Sequence, residues 1–381
     1  VFKKSAISFI FSVLFVFLAH TVVYAEQHES TTAIGAEAHQ TPELSQQNVI
    51  NPHDAHAEHE DVDIVETILH HVSDANENHI GTIGDKHITM PLPCILINKE
   101  TKKVTFIMSS AFHHAPNGEI DGYKLVHGRV IDAKTEKRDT FYDMSITKNV
   151  FNMLLGFIIL TIIFFSIKGA YVKRKGQAPK GIQSVFEPVI KFLVDEVAKP
   201  NIGPKYEKFM PYLLSVFFFI LINNLLGLVP FLGGINSSGN ISFTLVLAMC
   251  SLLLINLNGN KDYWTHVFAM PGVPKWVLVI LTPIEILGVF LKPAVLMLRL
   301  FGNITGGHIA VLSIVSLIFI MGEMGEKMGG AAAGGFIAFP ILLFVNAMEL
   351  FVAFLQAYVF TLLTAIFIGA AVEEHHHAEH H

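Results

Sequence analysis

Between Lys208 and Lys261 this chain carries no charged residue, and between Lys327 and Glu373 it carries only Glu349. A soluble core does not sustain uncharged runs of that length, whereas a bilayer asks for them: about 20 apolar residues cross its hydrocarbon as one helix. The chain is 52% hydrophobic and 15% charged over 381 residues, which sets it among polytopic membrane proteins rather than globular enzymes. The expected fold class is an all-α polytopic membrane protein with about five crossings. Two long tilted helices close the chain, one amphipathic helix lies on the surface, and a small extracytoplasmic N-terminal region carries some β structure.

Residues 1–25 read as a signal peptide: Lys3 and Lys4, an apolar centre from Ile7 to Leu18, and a small-residue cleavage site ending at Ala25. Residues 26–85 are acidic and rich in histidine (His28, His39, His53, His56, His59, His70, His71 and His79), and their first half has little to bury. Residues 86–147 carry β-branched apolar runs, Ile88–Asn98 and Val104–Met108, around the turn Lys99–Lys103, which predicts a hairpin. Cys94 falls outside the bilayer and Cys250 inside it, so the two cysteines form no disulfide or metal framework.

The membrane domain is placed at residues 148–372. Asn149–Ile167 is free of charge and is followed by Lys168, Lys173, Arg174, Lys175 and Lys180, which marks the cytoplasmic side. Val185–Val197 mixes apolar residues with Glu187, Lys191, Asp195 and Glu196, the pattern of a helix lying on a membrane surface. Phe209–Leu232 leads outward and Ile241–Leu257 returns. Two segments, Trp276–Ile320 and Gly334–Val372, are too long for a straight crossing and must tilt, bend or lie partly along the membrane. This count leaves residues 26–147 outside and the histidine-rich tail, 373–381, inside.

The last two segments hold few ionisable residues: Glu285, Lys292, Arg299, His308 and Glu349. A guanidinium keeps its proton under biological conditions. Insertion scales put its cost at a helix centre at about 2.5–3.5 kcal/mol. Apolar residues extend well past Arg299 on both sides, so snorkelling does not account for it. Glu285, Lys292 and Arg299 are spaced by seven and drift only about 20° per step, so they share a face. Asn303, Gly302 and Gly306 extend that stripe, whereas His308 lies about half a turn from Arg299 and about 13 Å along the axis. On the last helix Asn346, Glu349, Ala353 and Gln356 form one stripe. Glu349 has no basic neighbour on its own helix, so its partner lies on the other long helix or in water. His308 and Glu349 are proton-exchanging groups, while Arg299 is a fixed charge that blocks direct passage. Two half-channels separated by such a charge move protons only when a carrier acid shuttles between them.

These residues resemble subunit a of the F-type ATP synthase. The resemblance is carried by Arg299-Leu-Phe-Gly-Asn303-Ile-Thr-Gly-Gly-His308, by Glu285, by Lys292-Pro293, and by Glu349 through Gln356-Ala-Tyr-Val-Phe360. Asn224-Leu-Leu-Gly-Leu-Val-Pro230 and the run from Asn240 are similar to the family's earlier crossings. It implies that Arg299 faces a ring of c subunits whose carboxylates carry the protons. It also implies that Asn303 and Gln356 stand beside Arg299, that His308 and Glu349 line the extracytoplasmic half-channel, and that Glu285 lies near the cytoplasmic exit. The implied partners are the c-subunit ring, the b-subunit peripheral stalk, other ATP synthase subunits and membrane lipid, with no nucleic acid. The implied location is a bacterial inner membrane, and the chain does no bond chemistry and needs no cofactor or metal. Gly227 departs from the family, standing where some relatives have an acid. A self-contained transporter or channel is the rival class, but no convincing pair of repeated halves is present. An intramembrane hydrolase is the other rival, and the nucleophile or zinc-ligand pattern it needs is missing at membrane depth.

Overall fold

Backbone polar groups inside a bilayer have no water to bond to, so long apolar stretches satisfy them within a helix. The computed structural model describes residues 74–373 except 84–85, 116–117, 127, 175, 230–236, 271 and 322–327. The signal-peptide reading of residues 1–25, the histidine-rich stretch up to residue 73 and the tail from residue 374 lie outside the described residues.

The N-terminal region is built from short strands. β1 (Glu77–Ile83) pairs antiparallel with β2 (Lys86–Pro91). β3 (Pro93–Asn98) and β4 (Val104–Met108) form the expected hairpin, with Ile97 opposite Val104 and Pro93 opposite Met108. Asn98 shapes its turn by accepting hydrogen bonds from the amides of Glu100 and Thr101, each at 2.9 Å, and Lys102 takes a left-handed φ of 54°. A short helix, α1 (Ser109–His114), precedes β5 (Glu119–Ile120), β6 (Tyr123–Val126) and β7 (Arg129–Asp132), which form a second three-stranded sheet. β8 (Phe141–Asp143) returns beside β3. Side chains alternate along these strands, and the inward set (Cys94, Leu96, Ile107, Tyr123, Val130, Phe141) closes a small core with Phe112 of α1. The strand structure begins at Glu77, ahead of the 86–147 region expected to hold it.

The β8 strand runs directly into the membrane. Met144 and Ile146 donate to the carbonyls of Ile95 and Pro93 at 2.8 and 3.0 Å, so the chain stays paired almost to the helix start. Thr147 then caps α2 (Lys148–Lys173), accepting from the amide of Val150. α3 (Ile182–Phe192) passes through a π-helical turn, Leu193–Ala198, into α4 (Lys199–Ile202). α3 is the expected amphipathic helix: Glu187 and Lys191 pair at 2.8 Å on its outer side. The following Leu193, Val197, Ala198 and Ile202 are buried. α5 (Tyr206–Gly227), α6 (Ile241–Leu257) and α7 (Lys261–Phe268) follow, and α8 (Lys275–Met321) and α9 (Met328–Val372) are the two long helices. Four helical stretches are long and apolar enough to cross a membrane. The pair α6 and α7, bent by 106°, makes a fifth. At 1.5 Å per residue α8 and α9 are each about 70 Å long, more than twice the bilayer's hydrocarbon thickness of about 30 Å.

Packing sorts the long helices into buried and bare parts. α8 buries Leu296, Leu300 and Ile304, four apart on one stripe, against the bundle. The inner half of α9 is enclosed through Ala357, Phe360, Ala365, Ile368 and Ala371. Its outer half, by contrast, leaves Phe336, Phe339, Leu343 and Phe344 exposed. The last carbonyls of α9 are taken up by a neighbouring helix start. Asn260 donates its amide N–H to Ala371 at 2.8 Å, and its Nδ2 donates to Val372 at 2.8 Å and to Glu373 at 3.2 Å.

Gly369 sets how closely α9 meets α4. A Cβ there would fall 1.8 Å from the carbonyl oxygen of Asn201, and that obstacle is backbone, which cannot swing aside. Gly369→Val is therefore expected to cost at least the ~1–3 kcal/mol of ordinary overpacking and to reduce the amount of folded protein. The check is thermal unfolding of the purified complex, where a midpoint equal to that of the unmutated protein would count against this packing.

Candidate functional site: intramembrane charges on two antiparallel helices

Three contacts fix the register of α8 against α9. At the outer end Gly334 of α9 lies against Met321 and Ile318. In the middle the Glu349 carboxyl lies against Gly307, where a Cβ would meet Oε1 at 2.7 Å. At the inner end the Lys292 ammonium sits over the Phe367 ring, 5.4 Å from its centroid. Interpolating between the last two contacts puts Arg299 level with about Tyr358, so Gln356 lies within one turn of that height.

Arg299 and Asn303 lie on an exposed side of α8, one turn apart and about 80° round the helix from the buried stripe of Leu296, Leu300 and Ile304. Among the described residues Arg299 has no hydrogen-bond or ion-pair partner. Among the described residues nothing would touch a Cβ at Gly302 or Gly306, so this face is both polar and unusually open. Glu285 and Lys292 are only half-buried, so the expected shared face holds as a slowly turning stripe. Lys292 has turned toward α9, while Arg299 points clear of it.

Glu349 occupies a different place. It is half-buried, its Oε1 is enclosed without a hydrogen-bond partner, and it abuts the residue immediately before His308. Gly307 of the other long helix packs against the carboxyl and brings Glu349 to the height of His308, which is itself half-buried, but it is not the polar partner expected there. The level of Glu349 is eight residues from Arg299, about 12 Å along the axis. The α9 stripe does not keep one environment. Asn346 is exposed and bonds the carbonyl of Leu342 at 2.8 Å, Ala353 is buried, and Gln356 is only 5% exposed. Gln356 thus lies inside the bundle rather than on the open face.

Periodicity did not single out two features. Gly307 was indistinguishable from the packing glycines around it, yet it makes the room that the Glu349 carboxyl fills. The short polar side chains of α2, α5 and the turn before α6 also carried no periodic signal. Asn152 donates to Ser237, Ser238 donates to Asn224 at 2.6 Å, and Asn224 donates to the carbonyl of Ala353 at 3.3 Å. Among the described residues no group of three His, Cys, Asp or Glu side chains is placed to hold a metal ion.

A multi-pass helical membrane protein with a fixed cation on its open face and a separate enclosed carboxyl has the parts of an ion-path subunit. Residues 150–369 match the family described as ATP synthase A chain, and the chain belongs to that family. Residues 67–153 match a domain of unknown function. The chain is 46% identical to ATP synthase subunit a 2 of Chlorobaculum tepidum over 60% of its own length and 64% of that protein's. It is 39% identical to ATP synthase subunit a of Chlorobium phaeobacteroides (strain DSM 266) over 71% of its length and 75% of the relative's. With ATP synthase subunit a 2 of Prosthecochloris aestuarii the figures are 36%, 71% and 86%.

Proposed function

We propose that this chain is the proton-translocating stator subunit of an F-type ATP synthase, sitting in the inner membrane with its N-terminal region periplasmic and its C-terminus cytoplasmic. Two half-channels reach into it from opposite sides. His308 and Glu349 serve the outer one, and Glu285 the inner one. Arg299, flanked by Asn303 and Gln356, faces the carboxylates of the c-subunit ring. A carboxylate arriving beside Arg299 is held ionised and gives up its proton to the inner half-channel. Beyond the arginine it takes a new proton delivered through Glu349. The chain itself makes and breaks no covalent substrate bond. Each charge gains about 2.3 kcal/mol per 100 mV, so ATP formation in a separate head needs several protons.

The observation that carries this reading is Arg299 standing on an open helix face with no hydrogen-bond or ion-pair partner among the described residues, about 12 Å from the level of the enclosed Glu349. The peripheral-stalk b subunit is the further partner, held to the rest of the complex. The test is disulfide trapping in native membranes. A cysteine at Asn303, paired with cysteines placed near the c-subunit carboxylate, is expected to give a crosslinked product that rotation-blocking conditions leave intact. No product at any c-subunit position, in assembled complex, would remove the rotor-facing role.

A further inference from the structure

A buried thread of hydrogen bonds joins the extracytoplasmic domain to the helix that carries Glu349. It starts at Asp74, whose Oδ1 accepts from the amides of Ala75 at 3.1 Å and Asn149 at 3.3 Å. The carbonyl of Asn149 accepts from Ser237 Oγ at 3.2 Å, and that hydroxyl accepts from Asn152 Nδ2 at 3.0 Å. The adjacent Ser238 bonds Asn224, which bonds Ala353, one turn beyond Glu349. Asn149, Asn152, Asn224, Ser237 and Ser238 are all buried. Packing apolar helices does not require this concentration of amides and hydroxyls, each costly to bury unless bonded. Two oxygens at the ends of the route, Asp74 Oδ2 and Glu349 Oε1, are enclosed without a hydrogen-bond partner among the described residues. Oxygens of this kind are where interior water is ordered.

Asp74 is the titratable carboxyl at the outer end of the thread. Lys148 from α2 and Arg129 from β7 are the charged groups that face it, and Arg129 Nε also donates to its carbonyl at 3.3 Å. Burial pushes the Asp74 carboxyl above its ordinary value, with Lys148 and Arg129 pulling it partly back. The group therefore takes up a proton at a less acidic pH than a surface aspartate would.

We propose that Asp74, in the domain of unassigned function, is the outer proton-collecting group of the entry route, and that the polar thread lines the way from it to Glu349. This rests on the reading of Glu349 as the outer half-channel carboxyl. A proton from the external water binds Asp74, passes to water held along the thread, and reaches Glu349, leaving Asp74 ionised for the next.

The test measures proton conduction through the whole complex in membrane vesicles, normalised to assembled complex, as a function of pH on the extracytoplasmic side. Asp74→Asn keeps the Oδ1 acceptor and removes the proton site. It is expected to slow conduction several-fold at about pH 8, where protons are scarce, with little change at about pH 6, and Asp74→Glu is expected to restore the profile. Asn224→Leu, which interrupts the thread further in, is expected to slow conduction at both. An unchanged pH profile in Asp74→Asn, or full conduction in Asn224→Leu, overturns the proposal. Glu349→Gln is run beside them: full conduction there would instead overturn the half-channel reading on which this one stands.

Discussion

Arg299→Ala is expected to abolish ATP-driven proton pumping while leaving the complex assembled. The fold does not lean on this side chain: it is exposed and has no hydrogen-bond or ion-pair partner among the described residues. Removing it deletes a charge that costs about 2.5–3.5 kcal/mol to hold at membrane depth, so folding is not expected to suffer. What is lost, on the proposed mechanism, is the fixed positive charge that keeps an arriving carboxylate ionised and stops protons from crossing directly between the half-channels. Arg299→Lys is expected to fail nearly as badly, because a lysine ammonium lacks the planar fork and can give up its proton when desolvated. Dye-quenching assays on inverted vesicles, with the assembled complex quantified in parallel, check both variants. Pumping retained in the alanine variant would remove the central role given to this residue.

Glu349→Gln is expected to cut pumping and proton-driven ATP synthesis by about 10²–10⁴-fold, the range over which a positioned proton-transfer group acts. The substitution keeps the size of the side chain and one oxygen, so the packing against Gly307 survives and only the exchangeable proton is lost. Gly307→Ala tests the same site from the other helix. Its Cβ would stand 2.7 Å from Glu349 Oε1, forcing the carboxyl to move, so a milder loss is expected with Glu349 intact. Rates of ATP synthesis after an acid–base jump report both variants. A Gln variant that synthesises ATP at the unmutated rate would place the proton path elsewhere.

Much of this architecture was legible because lipid leaves a sequence little freedom. Long apolar runs located the long helices, and β-branched apolar runs on either side of the Lys99–Lys103 turn marked the hairpin. The same logic found Arg299 and Glu349, since an ionisable residue at membrane depth stands out against its surroundings. What stayed hidden depends on how helices meet. Helical periodicity put Gln356 on one stripe with Asn346, yet the inward turn of α9 buries the first and leaves the second bare. Gly307 and Gly302 look alike in sequence, and only the neighbouring helix separates the one that receives a carboxyl from the one that faces open space. The link from Asp74 through Asn149 to Asn224 joins residues far apart in the chain, and no local spacing reports it.

The most direct test of the account is proton conduction by this chain reconstituted in liposomes, first alone and then with the c-subunit ring. Arg299 and the level of Glu349 are about 12 Å apart along the axis, and in the proposed mechanism the route between them passes through a carrier on another chain. The account predicts no conduction from the chain alone, and conduction once the ring is supplied, lost again in Glu349→Gln. Proton conduction by the chain alone, at a rate the ring does not change, would contradict it and make the protein a self-contained channel.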